Sequence, residues 1–173
     1  MTPPVVSIVA KSGTGKTTLL EKLIVELKRR GYRVGAVKHD AHSFSIDHEG
    51  KDSWRLTQAG ADTMIITSPQ QIAMVKRNRG AEPLISETIA GYCHDVDIVL
   101  TEGFKRSTMP KIEVHRSARS PTLLCRGEEH DPTLIAVASD EPLTLDVPVL
   151  GINDAEGLCD LIVATFLRFA TTP

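Results

Sequence analysis

The chain has 173 residues, 41% of them hydrophobic and 24% charged, and its 20 basic and 22 acidic side chains give a net charge of −2. A chain of this length is expected to form one domain, residues 1–173, around a single core. The balanced charge argues against bulk nucleic-acid binding, and no apolar stretch approaches the ~20 residues of a membrane span. We therefore expect a cytoplasmic protein that binds neither nucleic acid nor membrane.

Short apolar, β-branched runs alternate with stretches of helical periodicity, which predicts an α/β fold with a mainly parallel sheet and helices on both faces. The predicted strands are 5–10, 34–37, 64–67, 98–101, 112–114, 134–138 and 147–152. A hairpin is expected between the strand near Ile65 and residues 72–75. Three widely separated cysteines form no C-x-x-C pair and are expected to be ordinary buried thiols.

Four helices are predicted. The first carries an apolar stripe, ends before Gly31, and has the most regular pattern; its stripe consists of Leu19, Leu20, Leu23, Ile24 and Leu27. The others cover about 53–59, about 84–92, and 155 towards 169. The polar, proline-containing segment 117–132 is expected to be an excursion from the sheet.

A phosphate-loop motif links the first strand to the first helix. Residues 10–17 match the last three fixed positions of G-x-x-x-x-G-K-[ST], with Ala10 in place of the first glycine. Gly13 and Gly15 allow successive backbone N–H groups to converge on phosphate oxygens at a helix N-terminus. The motif predicts the three-layer P-loop NTPase fold and a nucleotide site formed by Ser12, Gly13, Thr14, Gly15, Lys16, Thr17 and Thr18.

Two residues of this loop have expected chemical roles. Lys16 should reach the β- and γ-phosphates and contribute to catalysis, while Thr17 should supply a hydroxyl to Mg²⁺. A chance glycine-rich turn is the alternative explanation. The position of the motif, between an apolar strand and an amphipathic helix, favours the phosphate site.

A second acidic group is expected at the end of another strand, to organise magnesium or the attacking water. Asp97 enters the strand 98–101, whereas Glu102 leaves it on the carboxyl side, where ligands bind in open α/β sheets. We therefore predict Glu102 as a magnesium ligand and catalytic residue. Gly103 would let the backbone approach the γ-phosphate, although a solvated strand end with a turn glycine explains the same residues.

The loop that leaves the second strand, residues 38–53, is rich in titratable groups, including His39, His42, Asp47 and His48. It could be a switch segment in which Asp40 or Asp47 contacts magnesium through water, and of the two we predict Asp47 as a metal ligand. A metal site formed by the histidines is a second interpretation. A solvated loop in which Asp52 or Ser53 caps the next helix is the third.

The combination of these segments is similar to MobB, the molybdopterin-guanine dinucleotide biosynthesis protein B family. The matching segments are 12–18, 38–39, 50–53, 102–105, 136–140 and 152–154. The resemblance implies a homodimeric, GTP-binding adapter with weak magnesium-dependent GTPase activity. It also implies two kinds of partner: the guanylyltransferase that attaches GMP to molybdopterin, and other proteins of molybdenum cofactor biosynthesis.

Two features depart from what the family and guanine binding lead one to expect. The family often has His-His-Asp where this chain has His42-Ser43-Phe44, and the usual guanine motif N-K-x-D is absent. Asp140, at the end of the strand 134–138, is our candidate for accepting hydrogen bonds from guanine N1 and N2. A turn carboxylate is the alternative for Asp140.

Two other functional classes stay open from the sequence. A small-molecule or nucleoside kinase would use the same loop for ATP and would need an arginine-rich lid, for which only 116–126 is available. A metal-insertion GTPase would use His39 and His42 to carry a metal. Preference between GTP and ATP, and metal binding that depends on the histidines, would separate these classes from the adapter.

Overall fold

The computed structural model describes residues 2–40, 44–127 and 130–167. His42, which the metal hypothesis requires, lies outside them. The elements in chain order are β1 (Val5–Val9), α1 (Lys16–Arg29), β2 (Val34–Lys38), α2 (Asp52–Gln58), β3 (Thr63–Thr67), β4 (Ile72–Lys76), α3 (Ile85–Tyr92), β5 (Ile98–Glu102), β6 (Lys111–His115), β7 (Leu134–Ser139), β8 (Val149–Gly151) and α4 (Ala155–Ile162).

The chain forms two compact units, one from residues 1–39 with 88–173 and one from residues 40–87. In the first unit, six parallel strands form one sheet in the order β2-β5-β1-β6-β7-β8. The α/β fold with a mainly parallel sheet and helices is confirmed. The single-domain expectation for the chain stays a prediction.

One face of this sheet carries the main apolar core. Alternate residues of β1, β5, β6 and β7 point to this face because side chains alternate along a strand. They pack with buried residues of α1 and α4, including Leu23 and Leu158. The predicted stripe of α1 is buried at Leu19, Leu20, Leu23 and Leu27. Gly31, beyond the helix end, has φ +90°, the left-handed conformation expected of a stop glycine.

The opposite face of the sheet is partly polar, although its side chains are buried. Lys111, Glu113 and His115 of β6 have exposed fractions of 1%, 2% and 4%. Glu113 accepts hydrogen bonds from the backbone N–H groups of Leu124 and Cys125. The predicted excursion therefore packs on the sheet over residues 123–125. Burial raises the pKa of the Cys125 thiol to about 12, as expected of an inert buried thiol.

In the second unit, β3 and β4 pair antiparallel, which confirms the hairpin, and Met64 is buried. The capping role suggested for Asp52 or Ser53 is wrong: the N-cap of α2 is Lys51, and no side chain of the described residues forms a capping hydrogen bond there. Ser53 instead donates to Asp47 Oδ1 at 3.1 Å. No helix among the described residues has the length and apolar character needed to cross a membrane.

The last helix begins where the sequence places it but changes its hydrogen bonding. Asp154 caps α4 by accepting a hydrogen bond from the Gly157 N–H at 2.9 Å. After Ile162 the helix continues as a π-helical segment, Val163–Leu167. The predicted extension towards residue 169 lies beyond the described residues.

Candidate functional site

The phosphate loop joins β1 to α1 with two left-handed glycines. Gly13 has φ +73° and Gly15 has φ +100°, and α1 begins at the next residue, Lys16. A side chain at either glycine would be strained in this conformation, so glycine is required for the turn. The loop therefore brings backbone N–H groups together at the start of a 14-residue helix, where an anion is favoured.

The side chains of the loop divide into buried and accessible groups. Thr14 is 2% exposed, and its hydroxyl donates to the Lys11 carbonyl at 2.8 Å, so only its backbone faces a ligand. The Lys16 ammonium lies 3.5 Å from the same carbonyl, a long hydrogen bond. Ser12, Thr17 and Thr18 are exposed. Lys16 is thus weakly held.

The structure brings Thr17 and Glu102 together. β5 pairs directly with β1, with Glu102 opposite Ile8, so both strands end at the same edge of the sheet. The Thr17 hydroxyl donates to Glu102 Oε2 at 3.0 Å. Gly103, with φ +96°, follows and donates its N–H to the Ile8 carbonyl at 3.2 Å. The predicted acidic group therefore lies at the start of α1.

This pair fits a magnesium ion by its chemistry. Mg²⁺ prefers oxygen ligands and usually takes one or two protein oxygens together with phosphate oxygens and water. A hydroxyl and a half-buried carboxylate in direct contact supply two such oxygens beside the anion-binding turn. The residues present are therefore suited to the ion that the sequence predicts.

Asp97, the alternative acidic residue, lies at the opposite end of β5. Its carboxylate accepts hydrogen bonds from the Arg33 guanidinium at 2.8 and 3.2 Å and from the Arg33 backbone N–H at 2.6 Å. The hydrogen bonds from the Arg33 side chain and backbone lower the pKa of Asp97. Asp97 thus has a structural partner remote from the phosphate loop.

The residues of the polar loop fall into both units. The His39 ring packs against Phe104 with ring centroids 5.1 Å apart, within the first unit. Asp47 belongs to the second unit, where its Oδ1 accepts hydrogen bonds from the His48 N–H and the Ser53 hydroxyl. Its Oδ2 is buried and has no hydrogen-bond partner in the described part of the chain. Its assignment to magnesium stays a prediction. Over the described ranges no three His, Cys, Asp or Glu side chains cluster as metal ligands.

Asp140 is exposed at the end of β7. Its Oδ1 accepts a hydrogen bond from the Ser117 N–H at 2.9 Å. This hydrogen bond, together with the charge of Arg116, lowers the pKa of Asp140. Asp140 therefore fixes the segment after β6, a role that the sequence did not suggest.

Sequence reasoning missed the residues that pack on the phosphate loop from β6. The Arg116 guanidinium donates through Nε to the Thr14 carbonyl at 2.8 Å, and the Lys11 ammonium donates to the hydroxyls of Ser120 and Thr122 at 2.6 and 2.7 Å. The sequence suggests 116–126 only as a possible kinase lid and assigns neither Arg116 nor Lys11 to a contact between that segment and the phosphate loop. Their proximity follows from the pairing of β6 with β1, which no local pattern reveals.

Comparison with known proteins identifies the family. The family model "Molybdopterin guanine dinucleotide synthesis protein B" matches residues 5–140. The molybdopterin-guanine dinucleotide biosynthesis adapter protein of Escherichia coli is 43% identical over 92% of this chain and 91% of its own length. The protein of that name from Haemophilus influenzae is 38% identical over 92% of this chain and 87% of its own.

A solved structure of molybdopterin-guanine biosynthesis protein B agrees with this fold. It is 27% identical, covers 92% of this chain and 97% of its own, and superposes with a TM-score of 0.68. The family match covers the phosphate loop, Glu102 and Asp140, so the site geometry and the comparisons concern the same part of the molecule. The chain therefore belongs to the MobB family.

Proposed function

We propose that this chain is a GTP-binding adapter that hydrolyses GTP slowly and assists the guanylyltransferase that converts molybdopterin to molybdopterin guanine dinucleotide. The names of the E. coli and H. influenzae relatives support the adapter role and the biosynthetic context. The cell compartment of such cofactor assembly would be the cytoplasm.

The observation that carries the nucleotide assignment is the contact between the Thr17 hydroxyl and Glu102 Oε2, 3.0 Å, at the first turn of α1. The hydroxyl, the carboxylate, the Lys16 ammonium and the left-handed glycines are the groups that a magnesium-bound polyphosphate requires. In this proposal the nucleotide phosphates lie against the N–H groups of residues 13–17.

The residues of this chain have distinct roles in the proposed site. Lys16 binds the β- and γ-phosphates, while Thr17 and Glu102 hold magnesium through oxygen. The bound ion would neutralise phosphate charge during hydrolysis. The Glu102 carboxylate would also orient water near the ion. The side chains in contact here bind and orient the nucleotide and the ion more than they activate the attacking water. Hydrolysis is therefore expected to be slow without a partner protein.

Asp140 is the proposed guanine contact. Its side chain is exposed, and the lowered pKa keeps it an anionic acceptor for the guanine N1 and N2 hydrogens. An adenine base presents no such pair of donors. GTP should accordingly bind more tightly than ATP, and this difference should depend on Asp140.

We also propose that the chain forms a homodimer, because its second unit exposes many large apolar side chains. Ile65, Ile66 and Ile72 of the hairpin are 56%, 47% and 73% exposed. Apolar groups concentrated on one short hairpin are typical of a protein interface. A dimer would cover part of this surface.

The experiment that tests the proposal is calorimetric titration of GTP and ATP analogues with and without Mg²⁺, with hydrolysis followed in the same samples. Magnesium-dependent, GTP-preferring binding with slow turnover supports the adapter. Preference for ATP would instead support the small-molecule kinase, and absence of triphosphate binding would contradict the nucleotide assignment altogether.

A further inference from the structure

Two guanidinium groups from the segment after β6 lie against the phosphate loop. Arg116 Nε donates to the Thr14 carbonyl at 2.8 Å, and its guanidinium nitrogens lie 3.7 Å from where a Cβ would stand on Gly15. The Arg119 Cζ lies 3.9 Å from the corresponding position on Gly13. The two cations therefore flank the two left-handed glycines that shape the anion-binding turn.

The segment that carries these arginines, residues 116–122, is called here the arginine loop, and it is held by Lys11, by Asp140 and by hydrogen bonds within the loop. Lys11 of the phosphate loop donates to Ser120 and Thr122, at 2.6 and 2.7 Å. Asp140 accepts from the Ser117 N–H, and the Arg116 carbonyl accepts from the N–H groups of Arg119 and Ser120. The loop is thus positioned by the same strands that position the nucleotide site.

Within the described residues, neither Arg116 nor Arg119 forms an ion pair with a carboxylate, in contrast to Arg33 with Asp97 and Arg126 with Asp146. The Arg119 side chain is also exposed. A guanidinium without a carboxylate partner, beside converging backbone N–H groups, is suited to bind phosphate oxygens through its planar set of donors.

We propose that Arg119 contacts the terminal phosphate oxygens of the bound triphosphate and acts in cis as a charge-stabilising residue in its hydrolysis. Arg116 is a positioning residue, which holds the Thr14 carbonyl and the arginine loop. This inference rests on the proposed nucleotide function. It deepens that function by adding a side chain that no phosphate-loop motif includes.

The chemical step is ordinary phosphate hydrolysis. The oxygen of water forms a bond to the γ-phosphorus, and the bond from that phosphorus to the bridging oxygen breaks. The bridging oxygen takes the bonding electron pair into GDP, and the water protons pass to inorganic phosphate and solvent. The role of the Arg119 guanidinium is to stabilise the negative charge that develops on the phosphoryl oxygens, because a fixed cation lowers the barrier.

The test compares four variants with the wild type and with Arg55→Ala, namely Arg119→Ala, Arg119→Lys, Arg116→Ala and Arg116→Lys. Arg55 is a matched control because it is 72% exposed and pairs with Asp52 only at 3.7 Å, in the second unit. The measurements are calorimetric affinities for GTP, GDP and inorganic pyrophosphate with Mg²⁺, and single-turnover hydrolysis of GTP. Urea unfolding checks that each variant is folded.

Arg119→Ala should slow hydrolysis at least about tenfold. It should also lower the affinity for GTP more than the affinity for GDP, since the lost contact is to the terminal phosphate. Arg119→Lys should recover affinity better than rate, because lysine keeps the charge and loses the planar donors. Arg116→Ala should lower the affinities for GTP, GDP and pyrophosphate by a similar factor. Arg116→Lys should restore these affinities, since an ammonium can still donate to the Thr14 carbonyl.

The outcomes separate this inference from the proposed function. Wild-type binding of GTP together with an Arg119→Ala variant that binds and hydrolyses it like Arg55→Ala would overturn the role of Arg119 alone. A wild-type chain that binds no triphosphate would overturn both. Equal losses of GTP and GDP in Arg119→Ala, with an unchanged hydrolysis rate, would contradict the terminal-phosphate contact.

Discussion

At the scale of single residues, the side chains of the phosphate loop that are expected to bind the ligand contribute little to the stability of the fold. Lys16 has one long hydrogen bond of 3.5 Å, whereas Thr14 is 2% exposed and bonded to the loop backbone. Removing a binding side chain of the first kind should leave the core intact. This distinction makes binding and stability separable in mutants.

Lys16→Ala should therefore abolish triphosphate binding with the fold kept. The variant loses a charged hydrogen bond to phosphate, a loss of at least about 2 kcal/mol, or roughly 30-fold in affinity. Calorimetry with GTP and Mg²⁺ measures the loss, and urea unfolding should give a midpoint close to that of the wild type. Unchanged GTP affinity would contradict the assignment of this loop.

Glu102→Gln should preserve GTP binding and reduce hydrolysis about tenfold or more, because the amide oxygen still accepts from Thr17 but the negative charge for magnesium is lost. The magnesium dependence of affinity should weaken as well. Asp97→Asn, on the same strand at its other end, is the matched control and should leave hydrolysis unchanged. If Glu102→Gln unfolds the protein, its role is structural and the magnesium assignment fails.

Asp140→Asn tests the base contact. An amide can accept a hydrogen bond from one of the two guanine N–H groups but presents a donor to the other. The affinity for GTP should therefore fall about tenfold, while the affinity for ATP changes little. Competition titrations with the two nucleotides measure the ratio. An equal loss for both would mean that Asp140 acts only by holding Ser117 and the arginine loop.

At the scale of elements, the buried polar side of β6 determines how the segment beyond it packs. The Lys111 ammonium has a side-chain exposure of 1% and lies 3.0 Å from Asp131 Oδ2. Burial acts to raise the pKa of Asp131, but hydrogen bonds from Thr133 and the contact with Lys111 outweigh it and lower the pKa to about 2. The charge of the buried Lys111 ammonium is thus balanced by the Asp131 carboxylate.

This pair makes part of the stability acid-sensitive. Because the folded pKa of Asp131 is depressed, its contribution is present above the ordinary value of 3.8 and is lost as pH falls from there towards about 2. Asp131→Asn should lower the free energy of unfolding by at least about 2 kcal/mol near neutral pH. The difference in that free energy between variant and wild type should shrink as pH falls over that interval. Urea unfolding across pH measures the difference. A difference that does not change with pH would contradict the charge pairing.

The control for this prediction is Asp62→Asn. Asp62 pairs with Arg79 on the surface, with side chains 59% and 79% exposed. Exposed ion pairs contribute little, so this variant should stay within about 0.5 kcal/mol of the wild type at each pH.

Local sequence patterns were sufficient to predict the helices and strands, but not which strands lie side by side in the sheet. The stripe of α1 and the apolar strands follow from periodicity, and the rule that ligands bind at the carboxyl ends of parallel strands placed the phosphate loop and Glu102 at the same edge of the sheet. Which strands pair is set by non-local packing. The contact of Arg116 with Thr14 depends on β6 lying beside β1, and so it could not be inferred from the sequence.

At the scale of the whole molecule, exposed apolar surface is unevenly distributed along the chain. Among the described residues, most of the large hydrophobic side chains that are exposed belong to the second unit, namely Phe44, Ile46, Leu56, Ile65, Ile66, Ile72 and Leu84. Exposed apolar residues scattered singly need no explanation, but a concentration on one unit is typical of a protein interface. The proposed homodimer would supply that cover.

Two of these exposed isoleucines lie on the same face of the hairpin. In the hairpin register, Thr67 pairs with Ile72 and Ile65 with Met74, so Ile65 and Ile72 share one face. If this face is the dimer interface, Ile65→Glu with Ile72→Glu should place two like charges from each protomer in an apolar contact and weaken dimerisation at least about 100-fold. Sedimentation velocity over a range of protein concentrations measures the shift from dimer to monomer.

Val25→Glu is the matched control, since Val25 is an equally apolar residue, 69% exposed, on α1 in the first unit. It should leave the dimer unchanged. Because the phosphate loop belongs to the first unit, the monomeric hairpin variant should still bind GTP with magnesium. A wild type that stays monomeric at all concentrations would contradict the dimer, and a hairpin variant that stays dimeric would place the interface elsewhere on the chain.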